Sequence, residues 1–181
     1  MTNRESVLPG DPGSALGRLT TLTSQTVLRT SLWLALGGWV GAWGFFAFVV
    51  SRIAFQVLPG DVAGDLAGDL LAILHFGGAA AAFVVAAASV GLGRRGLVVG
   101  LPIVLGLICL ASEIFLSPEV AAVRPSTLGA ANTEATQSQF RILPRLSLGM
   151  FMAIHAASIG LVWVQAKLDT QDIRNGASVD S

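Results

Sequence analysis

The stretch that decides the fold is Leu70–Gly93, LLAILHFGGAAAAFVVAAASVGLG, which holds 24 residues and no Asp, Glu, Lys or Arg. At a rise of ~1.5 Å per residue, a helix of about 20 apolar residues crosses a hydrocarbon core ~30 Å thick. Three more stretches read the same way. Thr30–Val50 is 21 residues without a charge, Leu97–Leu116 is 20 residues with one, Glu113, and Leu146–Gln165 is 20 residues with none. In lipid a backbone must satisfy its own hydrogen bonds, so each stretch is expected to be a helix. Charged residues make up 12% of the chain, against roughly a quarter in soluble domains. Four such runs leave too little polar surface to cover them in water. The reading is an all-α integral membrane four-helix bundle.

Working outward gives the boundaries. Residues 1–27 form a polar N-terminal tail, with a short interfacial helix expected around Ala15–Leu28. Residues 28–166 form the membrane domain, with helices near 30–51, 66–93, 97–116 and 145–166. An outer loop covers 117–144, where Pro118, Pro125 and Pro144 argue against one continuous helix. Its middle, Ser126–Gln139, suits a flexible linker or a short helix on the membrane surface. Residues 167–181 are a polar C-terminal tail, of which Asp169–Ser181 is expected to fray. The N-terminus lacks the apolar core and small-residue cleavage site of a secretory signal. Cys109 is the lone cysteine, so no intramolecular disulfide can form.

Lys and Arg set the expected orientation. Arg4, Arg18, Arg29, Arg94, Arg95, Lys167 and Arg174 fall on one face, and Arg52, Arg124, Arg141 and Arg145 on the other. The positive-inside rule then puts both termini in the cytoplasm, most directly through the Arg94–Arg95 pair in a tight connection. The expected location is a bacterial inner (plasma) membrane, crossed several times.

Gly37, Gly38, Gly41 and Gly44 recur every three or four residues in the first stretch. They make a groove in which a neighbouring backbone can sit, and Gly77, Gly78 and Ala79–Ala82 offer a partner within the chain. The same spacing also reads as a dimerisation face. Trp33 and Trp163 suit the membrane interface.

The only two histidines, His75 and His155, lie inside membrane stretches. Threading the chain places both at depths of roughly 8–14 Å on the outer side. Glu113 lies shallower on that side, with Cys109 one turn deeper on the same face. Ionisable groups at membrane depth are a functional-site hypothesis by default. One reading gives each His a hydrogen bond to a backbone or a Ser, with Glu113 reaching the headgroups. A second takes His75, His155, Glu113 and Cys109 as ligands of a transition metal, copper or zinc. A third has His75 and His155 clasp a haem. A proton relay or transport role completes the set. Asp61, Asp65 and Asp69, four apart, read as a solvated helix start at the positive dipole end, or as a cation attractor.

No Walker loop, dinucleotide fingerprint, nucleophile elbow or paired-cysteine zinc motif occurs, and the net charge is zero. Neither an enzyme nor a nucleic-acid partner is expected. The expected partners are the lipid bilayer and either a second copy of the chain or a larger membrane complex.

Several motifs, taken in order, carry a family resemblance. They are Gly38-Trp39-Val40-Gly41 with Phe46, then Phe55, Leu58-Pro59 and Ala63-Gly64, then Pro118 with Arg124. Phe151, His155 and Ser158 follow as F-x-x-x-H-x-x-S. Together, over roughly Leu28–Val164, they resemble the transmembrane-protein-205-like family (domain of unknown function 4149), small four-helix membrane proteins. The resemblance implies the four-helix fold and supports His155 by position. It carries no settled biochemical activity. A distant similarity to bacterial copper-resistance membrane proteins implies a His-based metal site by analogy.

Overall fold

The computed structural model describes residues 12–123 and 134–177, and no strand occurs among them. The sequence expectations for 1–11, for 178–181 and for the core of the outer loop, 124–133, fall outside the described residues. Helix α1 is Pro12–Phe45 and runs through a π-helical turn, Phe46–Val50, into α2, Ser51–Val57. The chain turns at Leu58-Pro59. Leu58 is extended (φ −104°, ψ 152°), the conformation that a following proline favours, and Pro59 then opens α3, Gly60–Gly91. Helix α4, Leu97–Ala111, continues through a second π turn, Ser112–Leu116, into α5, Ser117–Val123. The last helix, α6, is Glu134–Ala177.

Four segments are long and apolar enough to cross a membrane: Thr21–Val57, Gly60–Gly91, Leu97–Val120 and Leu146–Asp172. We refer to them as spans one to four. The shortest has 24 residues, or about 36 Å of helix. Packing runs around a ring: span one against two, two against three, three against four, and four against one. Outward faces carry Leu34, Phe48, Phe83 and Phe115, each at least two-thirds exposed, an apolar mantle that suits lipid. The chain is a multi-pass, four-helix-bundle membrane protein.

Span two shows how sequence makes the core. His75, Gly78, Ala82, Val85 and Ser89 recur at steps of three and four and are all buried. Small residues on this stripe let the neighbours approach. An ideal Cβ at Gly78 would lie 3.0 Å from Trp39 Nε1 and 3.4 Å from Cys109 Sγ, and one at Gly106 would lie 3.0 Å from the Ala82 Cβ.

Three expectations need correction. The Gly37/Gly41 groove does not receive span two: Gly37, Gly38 and Gly41 are exposed, with nothing within 4 Å of a Cβ built on them. The large residues of span one explain this, because Leu32, Leu36, Trp39 and Trp43 occupy the inward face and turn the glycines out. The outer loop expected over 117–144 is helical at both of its described ends. Pro144 lies within α6, and Pro118 lies within the helix that continues span three. A π turn directly before Pro118, with Ser117 N–H reaching back five residues to the Ser112 carbonyl, widens the helix where the ring would otherwise crowd the backbone. Finally, the chain does not fray from Asp169, because α6 runs on to Ala177.

Candidate functional site

His75 sits on the buried stripe of span two, 4% exposed. Its Nδ1–H donates to Glu113 Oε2 at 2.9 Å. Ser117 Oγ–H donates to the same oxygen, also at 2.9 Å. Glu113 lies in the π turn of span three and Ser117 follows it directly. Thus the irregular helix sets the carboxylate between two donors. π turns inside α-helices occur often at functional sites.

Trp43 backs the pair. Its indole meets the His75 ring edge-on, with centroids 5.7 Å apart, and its Nε1–H donates to the Leu74 carbonyl at 3.2 Å. On the other side it stacks on Phe151, with centroids 4.5 Å apart and planes 5° from parallel. Phe151 in turn lies 6.5 Å from the His155 ring. Phe46, the first residue of the other π turn, packs edge-on against Phe151. Ser51 Oγ–H donates to the Ala47 carbonyl inside that turn, as a hydroxyl can where a helix widens.

Of the four residues proposed from the sequence, the structure joins His75 and Glu113. Cys109 is fully buried on span three and faces Gly78. His155, 6% exposed, lies against Phe151 and near Gly44. Among the described residues no three His, Cys, Asp or Glu side chains group as a metal site would need. A zinc site takes three or four such ligands, and of the expected set the structure brings together only His75 and Glu113. The ring order His75, Trp43, Phe151, His155 likewise leaves an indole and a phenyl where two axial imidazoles would face a macrocycle.

A second polar cluster, which the sequence reading missed, closes the opposite end of the bundle. Arg94, in the connection between spans two and three, pairs with Asp169 and Gln165 of α6 and reaches Asp172 at 3.5 Å. Arg29 of span one lies 3.9 Å from Asp169 and 3.5 Å from Asp172. Trp33 Nε1–H donates to Asp169 at 2.8 Å, and Gln165 Nε2–H donates to Ser89 Oγ at 2.9 Å. Trp33, read as an interfacial anchor, thus spends its N–H inside the network. The available signal was the spacing His155, Ser158, Gln165, Asp169, Asp172. It continues the inward face of span four past the apolar stretch.

No curated protein and no solved structure matches the chain. A comparison with protein families matches residues 34–126, more than half of the chain. The matched segment holds His75, Cys109 and Glu113 and ends before α6, so His155 and Asp169 lie outside it. The chain belongs to the family described as Domain of unknown function (DUF4149).

Proposed function

We propose that this protein is a non-enzymatic membrane protein that handles protons, alone or coupled to a solute, through the His75–Glu113 pair. One observation carries the reading: two ionisable side chains of different spans meet on one carboxylate oxygen inside the bundle, steadied by Ser117. Ionisable groups inside a membrane bundle are costly, and apolar residues often replace a buried ion pair with no loss of stability. A pair retained there is better explained by use. Histidine and carboxylate side chains that face each other are the groups from which proton relays inside membranes are built. The distribution of Lys and Arg supports a bacterial inner membrane with both termini in the cytoplasm, so the pair takes protons from the outer side.

The test is the purified full-length protein in liposomes loaded with a pH-sensitive dye. An imposed pH gradient should decay faster than in empty liposomes, and His75→Gln or Glu113→Gln should remove the excess rate. Decay equal to empty liposomes would overturn the reading. Difference infrared spectra give a second readout. A protonated-carboxyl band should appear on acidification and vanish in Glu113→Gln.

A second reading, an oligomer or an accessory subunit, draws on the outward Gly37/Gly41 face, where another membrane helix could pack closely. The transmembrane-protein-205-like naming belongs here too, supported by the order of the motifs rather than by the matched family.

A further inference from the structure

Three polar atoms in the bundle have no hydrogen-bond partner among the described residues although their residues are more than nine-tenths buried: Trp39 Nε1, Ser112 Oγ and His155 Nδ1. Buried polar atoms are nearly always satisfied, by protein or by water. Tight packing accounts for the Trp39 N–H, since it abuts Gly78, where even a Cβ would sit 3.0 Å away. Ser112 opens the π turn of span three, next to Glu113, and that turn packs against α6, which carries His155. Gly44 lets span one come up to the other edge of the imidazole: a Cβ there would lie 3.7 Å, an ordinary contact distance, from Nε2 and Cε1.

We infer that His155 Nδ1 and Ser112 Oγ hold an internal water between spans three and four, and that His155 is the inner stop of the proton path that starts at His75 and Glu113. The role in proton passage rests on the function proposed above. The water site stands on the two unpartnered atoms. Water suits it because one O–H can donate to the Nδ1 lone pair while the oxygen or the second O–H meets the hydroxyl, and buried waters typically make about three hydrogen bonds. A proton reaching this water from the Glu113 side forms one O–H bond as the O–H facing Nδ1 breaks. The imidazole becomes imidazolium and the water is regenerated.

His75→Gln leaves His155 as the sole histidine, so its ring nitrogens need no further assignment. With nitrogen-15 histidine in the full-length protein in lipid bilayers, solid-state NMR should show magnetisation passing from water to His155 Nδ1, in the parent and in His75→Gln. The transfer should weaken in Ser112→Ala. No transfer to Nδ1 would overturn the site, and undiminished transfer in Ser112→Ala would overturn the bridge. In liposomes, His155→Phe and His155→Gln should lose the excess proton decay while keeping the Glu113 carboxyl band. Parent-like decay in either folded variant would overturn the role in the path. If the parent itself shows no excess decay but the water transfer is present, the proposed function fails and the site stands.

Discussion

Gln165 of α6 donates its amide to Ser89 of α3 at 2.9 Å, and both side chains are fully buried. These helices are diagonal in the ring of four, so the hydrogen bond crosses the core where no direct backbone packing joins them. Arg94 completes the contact by donating to the Gln165 Oε1 and pairing with Asp169. The polar cluster therefore ties one end of the bundle together, while the opposite end holds the His75–Glu113 pair.

Removing Arg94 should be costly. Its side chain is 7% exposed, and Arg94→Ala would leave Asp169 and the Gln165 carbonyl short of a donor. Breaking a buried pair in this way costs about 3 kcal/mol. Asp172 is half exposed, so Asp172→Asn should cost under about 1 kcal/mol. Thermal unfolding in detergent should show a large drop in midpoint for the first and a small one for the second. Equal drops would contradict the cluster as described.

Glu113→Ala should destabilise more than Glu113→Gln, because the amide can still accept from one donor while alanine strands His75 Nδ1. The expected cost of the stranded group is about 1–3 kcal/mol, and Ser117→Ala should cost about 1 kcal/mol. A double-mutant cycle between His75→Ala and Glu113→Ala should return a coupling of about 0.5–3 kcal/mol. A coupling of zero would dissolve the pair.

The glycines of spans one and two should behave oppositely. Gly78→Ala adds a methyl against Trp39, Trp43 and Cys109, and overpacking of this kind costs about 1–3 kcal/mol. Gly41→Ala meets nothing within 4 Å, so it should be neutral or stabilise by up to about 1 kcal/mol through helix propensity. Melting curves of the two variants check the order. A Gly41→Ala protein as damaged as Gly78→Ala would mean that another chain covers that face.

Cys109 is fully buried and is the chain's one thiol. A water-soluble maleimide should leave the folded protein unlabelled in bilayers and label it once denatured. Mass spectrometry of intact protein reads the result. Rapid labelling of the folded state would show that span three opens to water.

The sequence by itself determined the fold class, because apolar runs of 20 or more residues with at most one charge form helices in lipid. It also brought His75 and Glu113 to the same side of the membrane through helical rise and chain direction alone. It did not determine the faces of span one, where glycine spacing and large side chains compete for the interior. Four inward residues, Leu32, Leu36, Trp39 and Trp43, bury far more area than a glycine groove does, so the tryptophans turned in. It did not pair the charges at the other end either. Asp169 and Asp172 read as a solvated tail until α6 is seen to continue past the apolar run and meet Arg29 and Arg94. The order of the motifs singled out His155, but it assigned neither histidine a partner. Only the tertiary structure gave Glu113 to His75 and left His155 Nδ1 without a partner among the described residues, because side-chain partners across a bundle depend on helix rotation, which a hydrophobic pattern constrains only to within a face.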